Sequence, residues 1–322
     1  MAVKIIGTGS YLPPDIIDND RLSTLVETND EWITEHTGIK SRHIAKEDTT
    51  ASMAMVDAKN AIADSQLSVD EIDLIIVATV TPDNATPSVA CQVQAAIGAV
   101  NSMCFDISAA CSGFIYALTT ARAFIESGIY KNALVCGSET LSKIVDWSDR
   151  NTCILFADGA GACVVSKSDK DGGIIGQIMH SDGVKGVSLE CKERQTDNFL
   201  VNAPRTKHYV KMDGGEIFKF AVKKVPECIG ELLEAANTSK DDIKYYVLHQ
   251  ANARIISQVA RRMKEDIEKF PMNVEHTGNT SGASIPILLD EINKKGMLNA
   301  GDKIVLCGFG GGLTWGAVLI EW

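Results

Sequence analysis

The sequence lacks the features of several protein classes. No apolar run approaches the roughly 20 residues that a membrane-spanning helix needs. The opening segment 1–13 has no basic stretch, long apolar core or small-residue cleavage site. The nine cysteines are an odd number without a CxxC pair, which argues against a disulfide framework. A formal net charge of -11 disfavours non-specific binding to nucleic acid or to an anionic membrane. We therefore expect a reduced, cytoplasmic protein.

Strand-like apolar runs and helical patterns alternate along all 322 residues, which is typical of an α/β fold. Three segments of the first half recur in the same order in the second half. The matching segments are 68–77 with 239–248, 127–137 with 295–308, and 159–165 with 314–320. We infer a duplicated unit with halves at 1–170 and 171–322. Because no Pro/Gly/Ser-rich linker separates the halves, we expect them to share one core.

The duplication also predicts where polar side chains meet. Counting back from the glycines that end two equivalent helices places Cys111 opposite Asn279. The first repeated pair places Ala78 opposite His249. Cys111, His249 and Asn279 all follow predicted strands, and strand ends are where α/β folds bind ligands. We expect a pseudo-twofold relation to bring these three side chains together.

Cys111 lies between a predicted strand at 102–107 and a helix whose apolar side chains recur with helical spacing from Phe114 onwards. A thiol at a helix N-terminus meets the positive end of the helix dipole and unpaired N–H groups, and both favour the thiolate. The small residues around Cys111 allow a substrate to approach closely. The pattern indicates a nucleophile, although the local sequence alone is equally compatible with a buried core cysteine.

Two further polar positions are candidates for chemistry. His249 ends an apolar strand, so it is either a satisfied buried histidine or a base or hydrogen-bond donor acting beside Cys111. Asn279 is either a turn or cap residue or an amide donor to an enolate oxygen. The glycine-rich run 308–313 has no lysine after it, so it suits close backbone approach to a substrate carbonyl better than a phosphate cradle. No histidine has metal-ligand spacing with cysteines or carboxylates, so we predict no metal.

Motifs spread over almost the whole chain carry a resemblance to a known family. They are the segments 6–13, 29–33, 37–39, 106–114, 158–162, 249–252, 278–281 and 309–312. With these motifs the chain resembles β-ketoacyl-acyl-carrier-protein synthase III, the condensing enzymes that initiate bacterial fatty acid synthesis. The resemblance implies a thiolase-like α/β fold, a duplicated arrangement of five α-β-α-β-α layers.

The resemblance also implies a mechanism. Cys111 takes an acyl group from acyl-coenzyme A as a thioester, and the backbone N–H groups of Cys111 and Gly311 form the oxyanion hole. His249 and Asn279 hold the thioester carbonyl of malonyl-acyl carrier protein and stabilise the enolate that forms when carbon dioxide leaves. No tightly bound cofactor is expected, because coenzyme A arrives as part of the substrate.

Binding positions follow from the same resemblance. The matching residues are Thr28, Trp32, Arg150 and Asn252 for coenzyme A, Lys219 and Arg254 for acyl carrier protein, and Thr86 and Phe156 for the acyl pocket. In the family the tryptophan and the arginine sandwich the adenine, and the enzyme is a homodimer, which we expect here. Two positions depart from the family pattern. His36 stands where an arginine often lies near the coenzyme A phosphates. Thr86 stands where some acetyl-specific members have phenylalanine closing the pocket across the dimer, which predicts room for a longer or branched primer.

Other readings remain open at this stage. A starter-unit condensing enzyme of a polyketide or quinolone pathway would have the same fold. A hydroxymethylglutaryl-coenzyme A synthase would need a catalytic glutamate that the segment 78–82 lacks. A non-catalytic binding subunit of this fold is a different class of protein, and the presence of Cys111, His249 and Asn279 together argues against it.

Overall fold

The computed structural model describes residues 2–192, 200–201 and 207–322. Within these ranges the strands are β1 (Ala2–Tyr11), β2 (Ile16–Asp18), β3 (Ser41–His43), β4 (Leu74–Ala78), β5 (Met103–Ile107), β6 (Asn132–Thr140), β7 (Asp158–Ser168), β8 (Gly173–Ser181), β9 (Leu189–Glu190), β10 (Lys211–Met212), β11 (Ile243–Leu248), β12 (Lys303–Gly310) and β13 (Thr314–Glu321). The helices are α1 (Asn19–Ser23), α2 (Asp30–Thr37), α3 (Thr50–Ser65), α4 (Val89–Ile97), α5 (Gly113–Glu126), α6 (Arg150–Cys153), α7 (Gly214–Ala235), α8 (Ala253–Met263), α9 (Val274–Thr277) and α10 (Ser284–Lys294). None of these helices is long and apolar enough to cross a membrane.

Two sheets form the frame of the molecule. Their strand orders are β1-β7-β6-β4-β5 and β11-β12-β13-β8. In the first sheet β6 pairs in parallel with β4 and antiparallel with β7. In the second sheet β12 pairs in parallel with β11 and antiparallel with β13. The two sheets therefore repeat one topology. The division of the chain near residue 170, which falls between β7 and β8, stays a prediction.

The layers follow from the alternation of side chains along the strands. In β4, Leu74 and Ile76 face α5 and α10, whereas Ile75 and Val77 face α3 and α4. The helices α5 and α10 also pack against Ile304, Leu306 and the other inward side chains of the second sheet. The outer face of that sheet is covered by α7 and α8. The five α-β-α-β-α layers predicted for a thiolase-like fold are confirmed.

The repeat extends to the turns that lead into the strands. The 3-10 turns Val69–Glu71 and Lys240–Asp242 each contain a capping box, and they precede β4 and β11. The residues that end these equivalent segments are Ala78 and His249, as predicted. Both strands therefore deliver their last residues to the same edge of their sheets.

The second predicted equivalence is wrong. The 3-10 turns Ala110–Ser112 and Ser281–Ala283 precede α5 and α10, and both begin with a left-handed residue, at φ 46° for Ala110 and φ 50° for Ser281. Cys111 is therefore equivalent to Gly282 and not to Asn279. Counting from the helix ends failed because α10 has 11 residues and α5 has 14.

Close backbone contacts cross between the two halves. A Cβ on Gly308 of β12 would lie 3.0 Å from the Cα of Ser112, and a Cβ on Gly137 of β6 would lie 2.4 Å from the carbonyl oxygen of Gly282. β12 therefore needs a glycine where the turn Ala110–Ser112 packs on it, and β6 needs one where the turn Ser281–Ala283 packs on it. The contact places Cys111 over β12 of the second half.

Candidate active site

Cys111 occupies a constrained position at the meeting point of the two halves. It follows Ala110, whose left-handed backbone ends the connection from β5, and it precedes α5. The side chain is buried, with 6% exposure. Gly310 lies directly against it, since a Cβ there would be 3.0 Å from the Cys111 Sγ. The sulfur therefore has a fixed location over a bare strand end.

The surroundings of Cys111 favour the neutral thiol. Burial raises its pKa to about 12, a hydrogen bond with the Ser281 side chain opposes this, and the Glu139 carboxylate adds to the rise. The backbone hydrogen bond at Cys111 lowers the pKa, in the direction predicted for a helix N-terminus, but burial outweighs it. The thiol has lost nearly all its hydration, and no cation is among the groups that shift its pKa.

His249 comes directly after β11, and its ring is fixed from two sides. Its Nδ1 lies 2.6 Å from the Ser284 Oγ, and its ring packs edge-on against Phe309 at 5.2 Å between centroids. Burial lowers the pKa of His249 to about 3, so the imidazole is neutral at pH 7. A neutral imidazole can donate one hydrogen bond into a cavity.

Asn279 is held by its backbone and by one end of its side chain. Its N–H donates to the Leu155 carbonyl at 2.9 Å, and its own carbonyl accepts from the Ala157 N–H at 2.9 Å. The Asn279 Oδ1 accepts a hydrogen bond from the Ser281 N–H at 2.9 Å. This bond orients the amide, and the Nδ2 hydrogens remain available to a ligand.

A cavity of about 690 Å³ joins the three predicted catalytic residues to the surface. Cys111, His249 and Asn279 line its inner end. Trp32, His36 and Asn252 line it as well. The fold thus brings the three side chains to one cavity. Cys111 and His249 follow β5 and β11, whereas Asn279 follows α9, so the expectation that all three residues follow strands is wrong for Asn279. Within the described part of the chain, no group of three or more His, Cys, Asp or Glu residues is placed to hold a metal ion.

A larger cavity of about 1210 Å³ lies on the other side of Cys111. Its walls are mainly apolar and polar neutral side chains, including Val80, Leu141 and Ile144. Phe156 lines both cavities, and Gly311 lines the larger one beside Cys111. A group attached to Cys111 therefore has space that is separate from the channel to Trp32.

Thr86 does not line either cavity of its own chain and is exposed. Its neighbours Asn84 and Ala85 do line the larger cavity. The prediction that Thr86 closes the acyl pocket of a partner subunit concerns a second chain and stays a prediction.

The outer end of the smaller cavity carries a stack of three side chains. The Arg150 guanidinium lies 4.8 Å from the centre of the Trp32 ring, and His36 stacks on Trp32 at 4.3 Å with an interplanar angle of 17°. The Thr28 Oγ1 is buried without a hydrogen-bond partner among the described residues. Arg150 must move away for a planar ring to enter between it and Trp32.

Asn252 has a structural task at the same place. Its Oδ1 accepts from the Arg254 N–H at 2.7 Å and so caps α8, while its Nδ2 donates to the His36 carbonyl at 3.0 Å. The side chain therefore ties α8 to α2 at the wall of the channel.

Lys219 and Arg254, the predicted docking residues, lie exposed on α7 and α8. Their neighbours Phe218 and Asn252 line the smaller cavity. Lys219 is paired with Glu216 at 2.8 Å, whereas no ion pair joins Arg254 to an acidic residue in the described ranges. Arg254 is therefore the less neutralised of the two charges.

Glu139 was not anticipated from the sequence. It is fully buried and accepts hydrogen bonds from the Thr79 hydroxyl at 3.2 Å, the Thr81 hydroxyl at 2.5 Å and the Val80 N–H at 3.1 Å. Burial raises its pKa to about 7, and these hydrogen bonds oppose the rise. Its carboxylate fixes one wall of the larger cavity.

This chain is similar to proteins of one family along its whole length. The family models described as 3-oxoacyl-[acyl-carrier-protein (ACP)] synthase III and its C-terminal part match residues 105–183 and 233–322. A β-ketoacyl-[acyl-carrier-protein] synthase III of Clostridium botulinum (strain 657 / Type Ba4) is 51% identical over 322 residues, covering 99% of this chain and 98% of that protein. The 3-oxoacyl-[acyl-carrier-protein] synthase III of Aquifex aeolicus VF5 is 47% identical, with a TM-score of 0.94 and coverage of 100% of both chains. The priming β-ketosynthase of the R1128 polyketide biosynthetic pathway is 34% identical, with a TM-score of 0.93 and coverage of 99% and 96%.

Proposed function

The chain belongs to the β-ketoacyl-[acyl-carrier-protein] synthase III family, and we propose that Cys111, His249 and Asn279 carry out its reaction. The protein is an acyltransferase. It condenses an acyl-coenzyme A primer with malonyl-acyl carrier protein, with loss of carbon dioxide, and so initiates fatty acid synthesis. The observation that carries the residue assignment is the single cavity that the three side chains line together.

The first half-reaction loads the primer. The Cys111 sulfur bonds to the acyl carbonyl carbon, the bond from that carbon to the coenzyme A sulfur breaks, and the proton of the Cys111 thiol ends on the departing coenzyme A thiol. The negative oxygen of the intermediate is held by the N–H groups of Cys111 and Gly311. The position of Gly311 beside Cys111 at the larger cavity supports this assignment.

The second half-reaction forms the carbon–carbon bond. The malonyl carboxylate leaves as carbon dioxide, and its bonding electrons form an enolate whose oxygen accepts hydrogen bonds from His249 and Asn279. The enolate carbon then attacks the acyl carbon on Cys111, and the Cys111 sulfur leaves as a thiolate that takes up a proton from water. Two neutral donors favour the enolate without a metal, and the absence of a bound cofactor stays a prediction.

The smaller cavity, of about 690 Å³, is lined by Trp32 and by Cys111. We propose that the adenine of coenzyme A enters between Trp32 and Arg150 and that the pantetheine arm follows the channel to Cys111. The cavity wall at Asn252 supports a contact with the nucleotide end. Thr28 is not among the residues that line this cavity, so its contact rests on the resemblance to the family alone. His36 lies at this end, at the position where an arginine often lies in the family.

Acyl carrier protein is acidic, so its docking needs a local positive surface on a chain of net charge -11. We propose that Arg254 and Lys219 provide it at the mouth of the smaller cavity. The exposure of both side chains supports this placement, as does the lack of an ion pair between Arg254 and any acidic residue within the described ranges.

The larger cavity supports a primer longer than acetyl, in agreement with Thr86 at the expected gate.

We also propose a homodimer, because β5 is the edge strand of the first sheet and its residues are partly exposed and mostly apolar. Light scattering measures the subunit count. In the dimer, Thr86→Phe should shift turnover from butyryl- and isobutyryl-coenzyme A towards acetyl-coenzyme A. Strict acetyl preference of the unaltered enzyme would contradict the primer proposal.

Mass spectrometry after incubation with acyl-coenzyme A tests the nucleophile. We expect one acyl group on the unaltered protein and none on Cys111→Ala. His249→Ala and Asn279→Ala should keep acylation but lose release of carbon dioxide from malonyl-acyl carrier protein. Equal loss of both half-reactions would contradict the separate roles.

The polyketide starter-unit alternative, favoured by the 34% identical ketosynthase, predicts a product passed to a carrier protein other than that of fatty acid synthesis.

A further inference from the structure

The Ser284 hydroxyl joins the catalytic histidine to the backbone. The Ser284 Oγ lies 2.6 Å from the His249 Nδ1 and accepts the Gln250 N–H at 3.3 Å. All three residues are buried. Among the residues that the structure describes, the Ser284 Oγ has no other hydrogen-bond partner. The hydroxyl therefore has one hydrogen to place and one acceptor within reach.

Counting hydrogens distinguishes the two neutral forms of His249. If Nδ1 carries the ring proton, the His249 Nδ1 and the Gln250 backbone nitrogen both donate to the Ser284 Oγ. The hydrogen of the Ser284 hydroxyl is then buried without an acceptor. If Nδ1 is unprotonated, the Gln250 N–H donates to Ser284 and the Ser284 O–H donates to His249. Every buried group is then satisfied, and the alternative leaves a costly unpaired donor.

We propose that Ser284 is a positioning residue that holds His249 in the Nε2–H tautomer, so that His249 acts as a hydrogen-bond donor to the malonyl thioester and not as a base. The inference rests on the proposed function and specifies the state of one of its groups. An Nε2 that already bears a proton cannot accept the proton of Cys111. That proton therefore passes to the coenzyme A sulfur without His249.

Asn279 is oriented by the same principle from the neighbouring turn. The Ser281 N–H donates to the Asn279 Oδ1, which turns the Nδ2 hydrogens towards the cavity that His249 also lines. The segment Ser281–Ser284 thus orients both enolate donors, one through a backbone N–H and one through a hydroxyl. The low pKa of His249, caused by burial, agrees with a neutral donor.

Two substitutions test the role of Ser284. Ser284→Ala should slow release of carbon dioxide from malonyl-acyl carrier protein about 10-fold to 100-fold, through kcat and not KM, because the ring is no longer held in one tautomer. Acylation of Cys111 should change less than about threefold. Ser284→Thr keeps the hydroxyl and should restore much of the rate. Ser102→Ala is the matched control, because it removes a buried hydroxyl that donates to the Ile72 carbonyl at 2.5 Å, at the opposite end of the sheet.

Nitrogen-15 NMR of the histidine-labelled, unaltered dimer tests the tautomer without relying on a variant. The chain has six histidines, and the His249 signal is the one that His249→Gln removes. We expect an unprotonated Nδ1 and a protonated Nε2, and a mixture in Ser284→Ala. A protonated Nδ1 in the unaltered enzyme, or a Ser284→Ala enzyme with normal carbon dioxide release, overturns the inference. Failure of Cys111 acylation in the unaltered enzyme would instead overturn the proposed function.

Discussion

Gly310 lies against the nucleophile closely enough that one methyl group should disturb it. A Cβ at this position would lie 2.7 Å from the Cys111 Cβ, 3.0 Å from its Sγ and 3.3 Å from its backbone nitrogen. Carbon atoms in good contact are about 3.5–4.0 Å apart, so Cys111 or β12 must shift by roughly 1 Å. Overpacking of this kind costs about 1–3 kcal/mol of unfolding free energy.

The effect of Gly310→Ala on chemistry should exceed its effect on folding. A displacement of about 1 Å in a reacting group lowers rates on the order of 100-fold. We expect the single-turnover rate of Cys111 acylation, followed by mass spectrometry, to fall by about this factor. The melting temperature should fall by only a few degrees. The acylated fraction at long times should still approach one group per chain.

Gly230→Ala is the matched control, because a Cβ there meets no atom within 4 Å. This residue lies in α7, where alanine is a better helix former than glycine, so stability should be unchanged or slightly higher. Acylation should not change. A Gly310→Ala enzyme that acylates within about threefold of the unaltered protein would refute the reasoning from close packing.

Three further predictions concern charge. Burial lowers the pKa of His249 to about 3, so below pH 6.5 the unfolded state binds a proton that the folded state does not. The free energy of unfolding should therefore fall by about 3 kcal/mol between pH 6.5 and pH 4.5, and thermal melts of His249→Gln should lack this pH dependence. Arg254→Glu should raise KM for malonyl-acyl carrier protein about tenfold, less so at high salt, and Lys219→Glu should act more weakly because Lys219 is already paired. His36→Arg should lower KM for acyl-coenzyme A a few-fold without changing kcat, which steady-state kinetics would measure.

The layered fold could be predicted because its causes are repeated and local. Ala78 and His249 were correctly paired since a capped turn and a buried strand recur around both. Asn279 was wrongly paired with Cys111 because the count started from the glycines at the helix ends. A helix can gain or lose a turn without changing its pattern of apolar residues. The sequence therefore supports the repeat but not its register across a helix.

The environment of each site residue was harder to predict than its identity. The thiol of Cys111 was expected to ionise from its place before a helix, but the pKa depends on how much water the surrounding layers remove. The burial of Glu139 could not be predicted from the sequence, because a glutamate at the end of an apolar strand is usually an exposed turn residue. Its burial depends on Thr79 and Thr81, which lie about 60 positions away in the chain.

The pseudo-twofold relation explains why only one of two equivalent places holds a nucleophile. Gly310 on β12 is the counterpart of Glu139 on β6, and Gly282 is the counterpart of Cys111. Over β12 the strand is bare, and the Cys111 side chain fills the space; over β6 the turn is bare, and a Cβ on Gly282 would lie 3.7 Å from the Glu139 Oε1. The contact between the Cys111 turn and β12 therefore buries a thiol that lines both cavities. The equivalent contact between the Gly282 turn and β6 buries the Glu139 carboxylate, which supports a cavity wall. A cysteine at 282 would therefore lie beside the Glu139 carboxylate instead of a glycine, which disfavours a second thiolate at the equivalent position.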